Sequence, residues 1–216
     1  MLIPYISPEA PFRAETTIQK SLFIADIAPV SSMEEAQEFW NGRRKEFRDA
    51  THHCFACRIG TGQVQEKSSD DGEPQGTAGH PMLRVLQMQD ITNAAVIVTR
   101  YFGGIKLGAG GLTRAYSASA ASAAAGAPLL RYTPHLSVVL TFSYDMMGLF
   151  ENYVKDTKIR VTSRAFTDIV TIGLFTPPAL WPAYRTALTN LTAGRIGITE
   201  GDEEYVPLPA GPKAGA

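Results

Sequence analysis

Residues 94–102, AAVIVTRYF, form a largely apolar run that leads directly into the glycine-rich segment GGIKLGAGG at 103–111. An apolar run of this length is typical of a strand that is buried on both faces. Residues 112–125 are rich in Ala and Ser, which predicts a slim helix able to pack closely on a sheet. The chain is therefore expected to pass from a central strand into a helix through a connection built from glycine.

The segments before this strand predict a mixed α+β domain. Ser31 or Ser32, followed three residues later by Glu34 or Glu35, is a capping-box pattern and indicates the start of a helix. The predicted elements are strands at 12–20, 21–30 and 51–60, a helix at 33–48, a long polar loop at 60–80 with room for one short strand, and a short helix from Pro81.

A second pattern begins after residues 131–135, RYTPH, which are predicted to be a linker. The order that follows is strand, helix, strand, strand, helix, strand, as in the split βαβ or ferredoxin-like unit, with Asp145 as the expected cap of its first helix. We therefore predict domains at 1–130 and 135–206, with a flexible tail at 207–216.

Three stretches, ATHHCFACRIG at 50–60, SSDDGEPQGTAGHP at 68–81 and VTRYFGGIKLGAGGLTRAYS at 98–117, resemble the signature of the YigZ/IMPACT family. The resemblance implies an α+β fold. Its first domain would be similar to the second domain of a small-subunit ribosomal protein, and its second to the ferredoxin-like domains of elongation factor G. The eukaryotic relative is a translational regulator that acts through protein contacts, so the resemblance implies a role linked to translation.

Charge and hydropathy restrict the classes of partner. The chain has 20 Lys and Arg residues against 21 Asp and Glu residues, a formal charge of -1, so no overall basic field attracts nucleic acid or membrane. Any anion site must be local. No apolar run approaches the ~20 residues of a membrane span, and we expect a cytoplasmic protein with both cysteines reduced.

The glycine-rich segment is a candidate anion or nucleic-acid site, because backbone N–H groups at the start of a helix hold anions. The candidate residues are Arg100, Gly103, Gly104, Lys106, Gly108, Gly110, Gly111 and Arg114. Neither dinucleotide nor P-loop spacing is present, so no nucleotide cofactor is expected. The alternative is that the glycines serve only close packing of strand and helix.

The polar loop contains the carboxylates Asp70, Asp71 and Glu73 within four positions. Such a cluster can hold Mg²⁺ together with a substrate phosphate. Acidic residues of a turn-rich loop are equally compatible with ordinary solvation. We expect no cofactor, and Mg²⁺ is the one alternative that this loop leaves open.

His52 and Cys54 fall on one face of the predicted strand at 51–60, while Cys57 falls on the other. The two cysteines therefore cannot chelate one metal ion together. His52 and Cys54 form a candidate pocket, either as a Cys-His nucleophile or as an ordinary buried pair.

Three functions remain open from the sequence. The first is a translation-linked protein that binds RNA phosphate or a ribosome-associated partner. The second is a Mg²⁺-dependent phosphate-ester enzyme, and the third is a protein-interaction module. The first two predict that residues 68–81 and 102–114 line one cleft.

Overall fold

The computed structural model describes residues 2–210 and divides the chain into two α+β units. The N-terminal unit contains residues 4–132 and the segment from Pro207, and the C-terminal unit contains residues 133–206 with the segment before Pro4. No helix within residues 2–210 is long and apolar enough to cross a membrane.

The N-terminal unit is built on an antiparallel five-stranded sheet. Its elements are β1 (Tyr5–Pro8), β2 (Phe12–Ile18), β3 (Ser21–Pro29), α1 (Met33–Glu46), β4 (His52–Ile59), β5 (Gln65–Ser69), α2 (Gly79–Met88), β6 (Ala94–Tyr101) and α3 (Gly108–Gly126). The sheet order is β2-β3-β6-β4-β5. Strand β6 occupies the centre, which explains why its sequence is apolar on both faces.

Helices cover both faces of this sheet. On one face α1 packs Trp40 against Phe55, with ring centroids 4.9 Å apart. On the other face α2 and α3 bury Met82 and Tyr116 against the strands. Cys54 belongs to the core between the sheet and helices α2 and α3, whereas Cys57 belongs to the core between the sheet and α1. The predicted placement of the cysteines on opposite faces is confirmed. Both cysteines are free thiols.

The capping box of α1 is formed as predicted. Ser32 is the N-cap and its hydroxyl accepts a hydrogen bond from Glu35 N at 3.2 Å. The Glu35 carboxylate accepts in return from Ser31 N at 2.7 Å. The first bond satisfies one free N–H group of the first helical turn, and the second fixes the residue that precedes the N-cap.

Helix α3 begins at Gly108, earlier than the predicted start at residue 112. Gly110 and Gly111 therefore belong to the first turn of the helix. Their low helix propensity misled the sequence prediction, because the buried face that begins with Leu112 extends the helix backwards through them.

The division between the two units falls within the predicted linker at 131–135, but these residues lie inside a long strand, β7 (Leu129–Phe142), which the sequence analysis did not predict. The first residues of β7 pair with β1, with Tyr132 opposite Tyr5. Within the predicted tail, residues 207–209 end another strand and Ala210 N donates to Leu129 O at 3.0 Å. The remainder of that tail, 211–216, lies outside the described residues.

The C-terminal unit has the predicted order of elements. After β7 come α4 (Met147–Val154), β8 (Arg160–Phe166), β9 (Val170–Thr176), α5 (Trp181–Leu191) and β10 (Gly197–Pro209). Strand β7 lies between β9 and β10, and β8 is at the edge. The predicted cap is wrong, because Asp145 lies within a short 3-10 turn before α4 and accepts a hydrogen bond from Ser143 Oγ.

One glycine of the connection is required by close packing. A Cβ on Gly103 would collide with the backbone of Lys20 in the β2–β3 turn. We expect Gly103→Ala to lower the free energy of unfolding by about 1–3 kcal/mol, as overpacking does. Gly42→Ala in α1, where a Cβ meets nothing within 4 Å, is the matched control and is expected to raise it by up to about 1 kcal/mol. Urea unfolding of both variants measures the difference, and equal stabilities would contradict it.

Candidate functional site

The acidic loop and the glycine-rich segment line one cleft of about 320 Å³ in the N-terminal unit. Glu73 and Pro74 come from the loop. The opposite wall is formed by residues that follow β6 and open α3, namely Phe102, Lys106, Gly108 and Leu112. The expected proximity of the two segments is confirmed.

A buried ion pair forms the base of this cleft. Arg100 Nη1 donates to Glu73 Oε1 at 2.6 Å, and the side chains are 5% and 3% exposed. Arg100 Nη2 donates to Ser21 Oγ at 3.3 Å, and the same hydroxyl accepts from Gly103 N at 3.1 Å. Arg100 is therefore neutralised inside the protein and is not the exposed cation that the sequence suggested.

Tyr116 joins α3 to the same carboxylate. Its hydroxyl donates to Glu73 Oε1 at 2.7 Å, and its side chain is fully buried. Burial is the main cause of the raised pKa of Tyr116, with the neighbouring Cys54 and Glu73 adding to it. The phenol therefore stays protonated and acts as a donor at any physiological pH.

Asp70 serves as a remote cap of α2. Its Oδ1 accepts from Ala78 N at 3.0 Å and Gly79 N at 2.9 Å, and its Oδ2 accepts from Gly76 N at 2.8 Å. Burial alone would raise the pKa of Asp70, but these backbone hydrogen bonds outweigh it and hold the pKa below its ordinary value. The start of α2 has no cap from its own N-cap residue, so Asp70 supplies the missing acceptors.

Asp71 is also engaged inside the domain. It forms an ion pair with Arg44 of α1, and its Oδ2 accepts from His53 N at 2.7 Å. Arg44 in turn lies over the Trp40 ring, with its guanidinium carbon 4.2 Å from the ring centroid. Asp71 thus connects the loop to the face of the sheet opposite the cleft.

The three carboxylates of the loop consequently point to three different sets of partners. Each carboxylate is bonded to protein groups at positions that water or a metal ion would otherwise occupy. No carboxylate of the three faces another. Within residues 2–210 no group of three or more His, Cys, Asp or Glu side chains is arranged to hold a metal ion. The loop does not fit the Mg²⁺ hypothesis, because its ligands are already used to fix the loop.

His52 and Cys54 lie beside this network without forming a nucleophilic pair. His52 Nδ1 lies 2.9 Å from Asp71 O, and its Nε2 lies 3.9 Å from Glu73 Oε1. The Cys54 thiol donates to Asp70 O at 3.0 Å. Burial is the main cause that raises the pKa of Cys54 far above its ordinary value, so no reactive thiolate forms there.

The start of α3 is left without an internal cap. Leu107 occupies the N-cap position with no side-chain hydrogen bond, and no acidic residue lies in the first turn. Gly108 has a φ of +69°, which favours glycine, and its position is exposed. The first N–H groups of this 19-residue helix are therefore available at the edge of the cleft.

Two exposed cations lie at this helix start, and a third lies in the turn beside the glycine-rich segment. Lys106 lines the cleft. A Cβ on Gly110 would lie 3.8 Å from Arg114 Nη1, so the Arg114 side chain reaches back to the first turn. Lys20, which the sequence analysis missed, lies in the β2–β3 turn that abuts Gly103. Gly104 has a positive φ of +83°, whereas Gly110 lies within the helix and does not.

Sequence reasoning also missed Ser21, Phe102 and Tyr116. Tyr116 carried a usable signal, since it lies four residues after Leu112 on the buried face of α3 and a buried tyrosine needs an acceptor. The identity of that acceptor, Glu73, depends on a contact between residues 43 positions apart. No local pattern predicts such a contact.

Comparisons with known proteins agree with this architecture. The Impact N-terminal domain matches residues 19–124, and a domain of unknown function, DUF1949, matches residues 140–195. IMPACT family member YvyE of Bacillus subtilis is 35% identical to this chain over 95% of both chains. IMPACT family member YigZ of Escherichia coli is 31% identical over 90% of this chain and 96% of its own. A crystal structure of a hypothetical protein is 30% identical, with a TM-score of 0.60 over 94% of this chain and 100% of that one.

Fold and site define a two-domain α+β protein whose N-terminal unit carries a cleft beside an uncapped helix start. The chain belongs to the IMPACT family, and the family resemblance of its three motifs is confirmed.

The cap supplied by Asp70 predicts a specific dependence of stability on pH. We expect Asp70→Ala to lower the free energy of unfolding at neutral pH by about 1–2 kcal/mol. The pKa of Asp70 is lower in the folded state than in the unfolded state. The extra stability of wild type over Asp70→Ala is therefore fully present above the ordinary pKa of about 3.9, and it is lost as the pH falls through the folded-state pKa. Urea unfolding at neutral and acidic pH, followed by the fluorescence of Trp40 in a Trp181→Phe background, measures the effect. Glu38→Ala on the exposed face of α1 is the control. If the loss of unfolding free energy in Asp70→Ala were the same at neutral and acidic pH, the assignment of Asp70 as the cap of α2 would be wrong.

The buried ion pair predicts a large loss when one partner is removed. Glu73→Ala leaves Arg100 buried without a counter-charge and is expected to cost about 3–5 kcal/mol of unfolding free energy. The matched control is Glu66→Ala, which removes the more exposed ion pair to Arg58 and should cost at most about 1 kcal/mol. Comparable losses in the two variants, measured by chemical denaturation, would show that the Glu73 pair is not desolvated in solution.

Proposed function

We propose that this protein binds RNA through its phosphate groups, with the start of α3 as the anion site. The observation that carries the proposal is the uncapped and exposed first turn of α3 beside the cleft. Free N–H groups and the positive end of the helix dipole favour an anion at this point. The nearby cations Lys20, Lys106 and Arg114 are suited to the adjacent phosphates of a strand.

The charge distribution supports a local site. The whole chain has a formal charge of -1, so attraction to RNA must come from one surface. Around the cleft, Asp70, Asp71 and Glu73 are used in internal bonds, while the exposed groups at the helix start are cationic or are N–H donors. The link to translation rests on the similarity to ribosomal-protein and elongation-factor domains that the family resemblance implies.

A ribosome-associated protein is the second candidate partner. The observation that favours it is the exposure of two apolar side chains next to the cleft, Phe102 at 47% and Ile105 at 42%. Such groups are common at protein interfaces. Binding of this kind would depend weakly on salt, whereas binding to phosphates depends on it steeply.

Ala109→Glu tests the anion site with opposite effects on stability and binding. Ala109 is an exposed residue in the first turn of α3, so a carboxylate there should raise the free energy of unfolding by about 0.3–1 kcal/mol through the helix dipole. The same carboxylate occupies the proposed phosphate position. We expect the affinity for a fluorescein-labelled single-stranded oligouridylate to fall by about tenfold, the equivalent of one charge-assisted hydrogen bond.

Ser122→Glu is the matched control, because it makes the same charge change on the exposed side of α3. Thirteen residues further along the helix, it lies roughly 20 Å from Ala109, beyond the Debye length of about 8 Å at physiological salt. Arg114→Ala should reduce the slope of log affinity against log salt by about one. Anisotropy titrations over a salt series measure all three, and equal affinities and slopes for wild type, Ala109→Glu and Arg114→Ala would reject the proposal.

A further inference from the structure

We infer that the cleft is a subsite for one unpaired nucleotide, with the base held against Phe102 and the phosphate at the start of α3. This inference rests on the proposed RNA binding and names the form of RNA that the site selects. A strand bound in this way continues across the first turn of α3 into a second concavity next to Arg114.

The dimensions and walls of the cleft suit a planar, partly apolar group. Its volume of about 320 Å³ falls in the range of roughly 300–1,000 Å³ for small-molecule sites. Pro74, Phe102, Leu107 and Leu112 supply the apolar walls. A phosphate alone gains nothing from such walls, whereas a base attached to that phosphate does.

The Phe102 ring contacts a buried guanidinium and remains partly exposed. The guanidinium carbon of Arg100 lies 5.5 Å from the centroid of the Phe102 ring and 5.4 Å from that of Phe23. Arg100 thus contacts both rings, and Phe102 is still 47% exposed. An exposed aromatic ring with a fixed orientation is the surface on which single-stranded nucleic acids stack their bases.

The bottom of the cleft contains polar groups that are suited to hydrogen-bond the edge of a nucleobase. Arg100 is 4% exposed and lines the cleft, yet its Nε has no hydrogen-bond partner within the described chain. Glu73 accepts the bonds from Arg100 and Tyr116 through the single oxygen Oε1. The Nε atom itself is buried, so an acceptor on a ligand reaches it only when the guanidinium turns toward the cleft. A buried donor without a partner is costly, and this cost favours such a movement.

A second concavity lies on the other side of the helix start. It has a volume of about 260 Å³ and is lined by Gln19, Leu107, Gly111, Arg114 and Ala118. Leu107 also lines the cleft, so the two concavities are neighbours separated by this residue. A strand with one nucleotide in each places the connecting phosphate at the N–H groups of α3.

This arrangement excludes a regular duplex. Bases within a duplex are stacked on their neighbours and cannot offer a face to Phe102, while an unpaired base can. The structure therefore assigns the site to single-stranded segments, loops or ends.

The test is binding of three labelled probes of equal length by wild type and Phe102→Ala. The probes are a single-stranded oligouridylate, a blunt RNA duplex and an oligomer of abasic ribose phosphates. Phe102→Ala should weaken binding of oligouridylate by roughly 5- to 150-fold, the range for the loss of one base–aromatic stack, and leave the salt slope unchanged. Binding of the abasic oligomer should not change, and the duplex should bind more weakly than the single strand.

Phe166→Ala is the matched control, because Phe166 is also an exposed phenylalanine, at 55%, but belongs to the C-terminal unit. If Phe102→Ala binds oligouridylate as tightly as wild type while Ala109→Glu still weakens it, the base subsite is overturned and the anion site stands. Equal wild-type affinity for duplex and single strand also overturns the subsite. If no probe binds wild type at low salt, RNA binding itself is overturned, and the apolar cleft is left to a protein partner.

Discussion

One carboxylate oxygen holds together the parts of the N-terminal unit that form the cleft. Glu73 Oε1 accepts hydrogen bonds from Arg100 at the end of β6 and from Tyr116 in α3. The acidic loop, the central strand and the long helix are thereby fixed to a single point. A buried charge with a partner is tolerated, but one without a partner is not, so these segments keep one mutual arrangement.

This arrangement also determines which groups remain for a ligand. Asp70 and Asp71 are used to cap α2 and to bind Arg44 and His53 N, so the loop presents little free negative charge beside the cleft. The glycine-rich segment, in contrast, leaves backbone N–H groups at the start of α3 without an acceptor. A sequence with almost no net charge thus leaves Lys106 and Arg114 exposed near the start of α3, while the acids of the loop form internal bonds.

Much of the fold followed from local sequence patterns, and the failures have physical reasons. The strands β3, β4 and β6, the capping box of α1 and the order of elements in the C-terminal unit were predicted. The strand conformation of the linker at 131–135 was missed because Pro134 lies between the residues of β7 that pair with β1 and those that pair with β9. At that position a missing N–H interrupts neither set of pairs. For the site, the sequence predicted the cleft but not the bonds of Arg100 and Glu73, which form between segments distant in the chain.

The glycines of segment 103–111 have different roles. Close packing and ligand binding, the two explanations for this segment, are therefore not mutually exclusive. Gly103 allows the β2–β3 turn to approach, which is a packing role. Gly108 takes a positive φ and begins a helix at which no side chain can act as a cap. A Ser, Thr, Asp or Asn as the N-cap would stabilise that helix by about 0.5–2 kcal/mol, but its oxygen would occupy the same N–H groups that an external anion needs. Leu107 carries no such oxygen, so the N-cap residue does not occupy the first N–H groups of α3. The same holds for Met146 before α4 and Leu180 before α5, and what distinguishes α3 is that its start borders a cleft with exposed cations.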